Sequence, residues 1–155
     1  MKRKPECEGN DMTGNHIAIA TTTIHASADD VWEALTDPAL IKQYMFGSEV
    51  TSEWKVGSTI TYAGVYEGKE YEDHGRILEL RPGSLLRSTH FSPLGGKQDI
   101  PENYHTLTWT LEPEGDTTQL TLTQDNNETE DAARHSESNW TTVLQGLKEL
   151  VETQE

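Results

Sequence analysis

The run YHTLTWTLE, residues 104–112, leaves a chain little freedom, because Leu107, Trp109 and Leu111 alternate with Thr106, Thr108 and Thr110. Side chains alternate across a strand with a period of two, so this segment presents one dry face and one hydroxyl-lined face. The following TTQLTLTQ repeats the device, with Leu120 and Leu122 set against Thr121 and Thr123. Glu114-Gly115 divides the two runs, which therefore pair as a hairpin with their apolar residues on the same side. That face has to be buried against another element.

The C-terminal segment supplies it. From about Ser138 to Glu152, Trp140, Val143, Leu144, Leu147, Leu150 and Val151 recur at helical spacing, while Lys148, Glu149 and Glu152 occupy other faces. This is the pattern of a long amphipathic helix, whose upstream start within NNETEDAARHSES the periodicity leaves open. Gly146 inside it costs roughly 1 kcal/mol relative to alanine. The cost makes sense if the helix there approaches the sheet closely or leaves space for a ligand.

From Gly47 to Asp125, short alternating runs are separated by Gly, Pro, Asn and Asp at hairpin-like intervals, which argues consecutive antiparallel strands. They are placed near 48–53, 59–66, 71–80, 85–91, 104–112 and 117–125. Val56-Gly57, Glu67-Gly68, Pro82-Gly83, the 92–103 loop and Glu114-Gly115 divide them. Upstream, HIAIATTTI reads as a half-buried strand starting at His16, with Ile17 and Ile19 on one face. Ser27 then precedes two carboxylates, Asp29 and Asp30, which predicts a capped helix running to about Thr36 with Val31, Trp32 and Leu35 as its apolar stripe. Asp37-Pro38 stops that helix and suits the N-cap and first position of a second, ALIKQY. Residues 1–15 are polar, carry Pro5, Gly9 and Gly14, and show no period, so a mobile tail is expected before a single domain at 16–155. One strand, two helices, a run of antiparallel strands and one long helix make an α+β fold.

Composition narrows the partners. The chain carries 27 Asp and Glu against 12 Lys and Arg, a formal net charge of −15, which repels nucleic-acid phosphates and anionic membranes. An ordinary solvated acidic surface explains this excess as well as adaptation to salt does. With a single cysteine, Cys7, no intramolecular disulfide forms and multi-cysteine zinc sites are excluded. The basic cluster Lys2, Arg3 and Lys4 is not followed by the apolar run of a signal peptide, and no stretch approaches the ~18 apolar residues of a membrane span. A cytoplasmic monomer is expected.

Several strings, in order, resemble a known family: IHASADDVWEALTDPALIKQYM after the early strand, then SEWKVGSTITY, then GRILELRPGSLLRSTH, and lastly SNWTTVLQGLKELVE. Together they make the chain similar to the SRPBCC (START-like) superfamily, and within it to proteins like the C-terminal domain of the heat-shock-protein-90 ATPase activator. The resemblance spans His16 to Glu152. It departs at Asn139-Trp140, where relatives often carry glycine before the aromatic residue. It implies a helix-grip (Bet v 1-like) fold in which a curved antiparallel sheet grips the last helix, with a hydrophobic cavity between them.

On that basis Tyr62, Leu107 and Trp109 from the sheet, with Trp140, Leu144 and Leu147 from the last helix, are the candidate cavity lining; a filled core is the alternative use of the same residues. His105 shares strand parity with Leu107 and Trp109 and is a candidate polar anchor, or else a rim histidine at the strand end. His74, Arg76, His90 and Tyr66 also project from strands, without a parity that the sequence decides. The histidines His16, His25, His74, His90, His105 and His135 show no metal-ligand spacing, and no cofactor is implied. No Gly-x-Ser-x-Gly elbow or other catalytic constellation is legible, and Gly95-Gly96 lacks a phosphate-cradling pattern. The 92–103 loop is long for a hairpin connection and is expected to gate the cavity mouth. The expected function is non-enzymatic binding of a small apolar or amphipathic molecule. The alternatives are a co-chaperone-like module acting on a chaperone or other protein, and a cyclase-type enzyme using a buried His, Asp or Tyr for proton transfer.

Overall fold

The computed structural model of the protein describes residues 16–93 and 96–153, apart from the side chain of Tyr66. The tail expected at residues 1–15, and Gly95 in the long loop, fall outside these residues. The described chain forms β1 (His16–Ile24), α1 (Ala28–Thr36), α2 (Pro38–Tyr44), β2 (Glu49–Ser52), β3 (Thr59–Tyr66), β4 (Lys69–Arg81), β5 (Leu85–His90), β6 (His105–Glu114), β7 (Thr117–Asn127) and α3 (Glu130–Thr153).

Local chemistry sets most boundaries. Asp30 N donates to Ser27 Oγ at 3.1 Å, and Ala39 N to Asp37 Oδ1 at 2.9 Å, so both short helices start on side-chain caps. The upstream start of α3 is set the same way, by Ala132 N donating to Thr129 Oγ1 at 3.0 Å. Between β3 and β4, Glu67 and Gly68 both take positive φ, 52° and 81°, the two-residue turn that matches the twist of a hairpin.

Seven strands form one antiparallel sheet in the order β1-β7-β6-β5-β4-β3-β2. Its inner face carries Ile60, Ile77, Leu86, Leu107, Trp109, Leu111, Leu120 and Leu122, all buried against Val143, Leu144, Leu147 and Val151 of α3 and against α1 and α2. Thr106, Thr108 and Thr110 occupy the opposite parity and are half-buried on the outer face. This is the α+β helix-grip arrangement, a curved antiparallel sheet holding a long C-terminal helix.

Three readings change. Ile17 and Ile19 are 50 % and 55 % exposed, whereas Ala18 and Ala20 are buried. The reason is that α3 lies on β1, and a helix seated on a strand needs small side chains beneath it. Gly146 permits close approach to α2 rather than to the sheet, since a Cβ there would stand 3.2 Å from Tyr44 Cβ. Finally, β4 and β5 shift register between Ile77 and Glu79, a bulge that leaves Leu78 45 % exposed. A one-residue bulge reverses side-chain parity, so Leu80 lies opposite Leu86 while upstream of the bulge Ile77, Gly75 and Asp73 turn inward.

Candidate functional site

Inward parity brings four polar side chains into a row across adjacent strands. Tyr62 on β3 stands opposite Asp73 on β4, and His90 on β5 stands opposite His105 on β6. His90 Nε2 lies 3.2 Å from Asp73 Oδ2 and joins the two halves, with the side chains of His90 and Asp73 only 20 % and 18 % exposed. The Tyr62 and His90 rings meet edge-on, their centroids 5.6 Å apart. Asp73 Oδ1 is buried and accepts no hydrogen bond from any described residue. Burial, and then the Asp73 charge, push the Tyr62 phenol well above its ordinary value of 10, so it stays protonated.

Beyond His105 the row opens into a recess of about 380 Å³ between the sheet and the first half of α3. His105 and Gln124 form its sheet wall and His135 and Ser136 its helix wall, with Lys97 and Glu102 from the 96–104 segment on the rim. His105 Nδ1 lies 2.8 Å from the carbonyl oxygen of Asp125, which sets its ring orientation. Gln124 accepts the indole N–H of Trp140 at 2.5 Å and donates through Nε2 to Asn127 Oδ1 at 3.1 Å. Trp140 in turn packs edge-on against Trp109, centroids 5.9 Å apart. Aromatic surface thus lies directly behind the polar wall.

Deeper in, Leu107, Leu144 and Leu147 are at most 1 % exposed, and Trp109 is 3 % exposed. The space enclosed by Leu35, Tyr44, Trp54, Tyr62 and Trp109 measures about 10 Å³, no more than one water molecule needs. Of the seven residues proposed from sequence, Tyr62 and His105 therefore fall on the polar row, Trp140 backs the recess, and Trp109, Leu107, Leu144 and Leu147 pack in the core.

Parity separates the other strand residues. His90 points inward, whereas His74 and Arg76 project from the outer face, where they border a second recess of about 390 Å³. There His74 Nε2 lies 2.9 Å from Asp99 Oδ2, and Tyr104 donates its hydroxyl to Asp99 Oδ1 at 2.5 Å. The Tyr104 hydrogen bond is the main cause holding the Asp99 carboxyl below its ordinary range. Tyr104 stacks on Phe91 at 5.2 Å, so the segment after the loop is docked against the outer side of the sheet.

Asp73 was missed in the sequence although a signal for it existed. The Glu67-Gly68 turn pairs Tyr66 with Lys69, and counting back along both strands sets Tyr62 opposite Asp73. Among the described residues no cluster of His, Cys, Asp or Glu has the makings of a metal site.

The seven-stranded sheet, the long helix it grips and the two short helices together define a helix-grip domain of the START-like class. A family model described as Activator of Hsp90 ATPase homolog 1-like protein matches residues 25–152, and the chain belongs to that family. A Cytophaga hutchinsonii protein solved in solution is 50 % identical, with 92 % of this chain and 98 % of that one covered at a TM-score of 0.81. The Aha1 dimer from Colwellia psychrerythraea is 23 % identical, covering 88 % of this chain and 96 % of that one at 0.70. CalU16 from Micromonospora echinospora is 21 % identical, covering 91 % and 87 % at 0.67. These last two share the fold. No curated protein matches. Among the described residues no helix is long and apolar enough to cross a membrane.

Proposed function

We propose that this protein binds a small amphipathic molecule, without catalysis, at the mouth of the grip between the inner sheet face and the first half of α3. The observation that carries this reading is the recess of about 380 Å³ walled by His105, Gln124, His135 and Ser136. Small-molecule sites run from about 300 to 1,000 Å³ and combine apolar surface with a few placed polar groups. Ala132 and the carbon faces of the wall side chains supply the first, and His105, Gln124, His135 and Ser136 supply the second, with Trp140 hydrogen-bonded to Gln124 behind the wall. The 96–104 segment contributes Lys97, Glu102 and Asn103 to the rim, which supports a gating role for this loop.

Two-dimensional NMR on labelled protein tests the reading, with fatty acids, sterols, flavonoids and amphipathic amines added in turn. Saturable shifts are expected at His105, Gln124, His135 and the Trp140 indole. Their absence for every compound, in a folded protein, would remove the small-molecule reading.

Docking onto a protein partner is the second reading, favoured by Ile17 and Ile19 lying exposed on the outer side of the edge strand β1. The family name points to Hsp90 as the first partner to try. Shifts confined to β1 on adding purified Hsp90 would favour it, and an unchanged spectrum would remove it.

A further inference from the structure

We infer that the molecule held at this mouth carries a protonated amine and that Asp73 is its anchor. The inference rests on the small-molecule reading above and adds the chemical class of the ligand.

The argument begins with an unmet demand. A carboxylate has two oxygens that together take several hydrogen bonds, and removing one oxygen from water without a donor is costly. Asp73 Oδ2 is engaged by His90 at 3.2 Å, whereas Asp73 Oδ1 is buried and accepts nothing from the described residues. Nor does any described Lys or Arg pair with Asp73, whose ion-pair partner is His90, charged only when protonated. Buried polar groups left in this condition need an explanation, and a ligand donor supplies one.

Charge decides which donor. Among the described residues no lysine or arginine stands beside the Asp73 carboxyl, in a chain whose formal net charge is −15. Such a field concentrates cations and repels carboxylates and phosphates. An ammonium offers three N–H donors and full charge, and an aromatic face beside it adds a cation–π contribution. Tyr62, opposite Asp73 and edge-on to His90, supplies that face. From Asp73 the row runs through His90 to His105, which lines the recess, so the recess lies two strands from Asp73 and receives the far end of the molecule. The ligand class is therefore an amphipathic amine, not a fatty acid or other anionic lipid.

Two probe sets that share a body and differ in charge make the test: tryptamine, indole and indole-3-acetate; octylamine, octanol and octanoate. Each is titrated into labelled wild-type protein and into Asp73→Asn. At least one amine is expected to shift the Asp73, His90 and His105 amides saturably and to bind about tenfold or more tightly than its carboxylate, as a charge-assisted hydrogen bond implies. Asp73→Asn should abolish that preference. Equal binding within a set, or binding only of indole or octanol, would overturn the amine and leave the small-molecule reading standing. Silence from all six would overturn the amine and leave the small-molecule reading to the wider screen of fatty acids, sterols and flavonoids. If the variant fails to fold, nuclear Overhauser contacts in the wild type decide: contacts from the CH₂ beside the amine to the Tyr62 and His90 rings support the anchor, and contacts only elsewhere overturn it.

Discussion

Glu152, near the end of α3, accepts the backbone N–H of His25 at 2.8 Å, so the last helix is fastened to the residue that follows the edge strand β1. The same oxygen accepts Lys148 Nζ at 2.7 Å, and Lys148 also donates to the carbonyl of Thr23 at 2.8 Å. Ile19 N donates to Glu137 Oε2 at 3.1 Å. Side chains of α3 thus occupy backbone groups of β1 that would otherwise be open to another strand.

This fastening gives a pH dependence. The Lys148 hydrogen bond, then the His25 N–H, hold the Glu152 carboxyl down at about 2 against an ordinary 4.5. A depressed folded-state value means stability that is present above about 4.5 and lost as pH falls towards 2. Glu152→Gln should cost about 1 kcal/mol at pH 7 and nothing near pH 2. Urea unfolding of both proteins across that range checks it, and a difference that did not depend on pH would refute it.

At the alkaline end the sign reverses. Burial raises the phenols of Tyr44 and Tyr62 well above 10, with Asp73 adding to the effect at Tyr62. The unfolded chain then ionises first, so stability should decline as pH rises above about 10. Asp73→Asn should let Tyr62 ionise at lower pH, because the Asp73 charge no longer opposes the phenolate. Phenolate absorbance followed through an alkaline titration, with Tyr62→Phe as reference, measures this directly.

Gly146 should tolerate little growth. Alanine gains about 1 kcal/mol of helix propensity but places a Cβ 3.2 Å from Tyr44 Cβ, so Gly146→Ala is expected to stay within about 1 kcal/mol of wild type. Gly146→Val adds two methyl groups with no space to receive them and should destabilise by about 2 kcal/mol. Thermal unfolding of the pair distinguishes close helix packing from a gap, which would accept valine.

Leu147, fully buried between α3 and the sheet, reports on the filled core. Leu147→Ala should cost about 2–5 kcal/mol, the range for truncating a packed leucine. A loss below about 1 kcal/mol would instead indicate a loose interior with room for a ligand.

Much of the architecture was legible beforehand because its signals are local. Thr59–Tyr66 lies where the alternation placed it, and Ser27 and Asp37 cap the helices that their positions announced. The start of α3 was not legible, since it rests on a single Thr129 cap ahead of polar turns with no apolar stripe. At the site, Tyr62 and His105 were named from parity and from the family resemblance. Asp73 was within reach by counting back from the Glu67-Gly68 turn, whereas its meeting with His90 was not, because that depends on how β4 is registered against β5.

The order of elements, their caps and turns, the dry face of the β6–β7 hairpin and the acidic character of the surface are written in the residues themselves. Each follows from dihedral preference, short-range hydrogen bonding or periodicity within a few residues. Packing settles which residues of β1 face water, by seating α3 over Ala18 and Ala20 and leaving Ile17 and Ile19 outside. It also decided which side of β4 faces the helix, through one bulge at Leu78 that reverses parity along half the strand. Upstream of that bulge Asp73 meets His90 on the inner face and His74 and Arg76 turn outward. A register shift has no local signature in the residues it moves. It is chosen by the packing of the whole sheet, which is why the meeting of Asp73 with His90 became visible only in three dimensions.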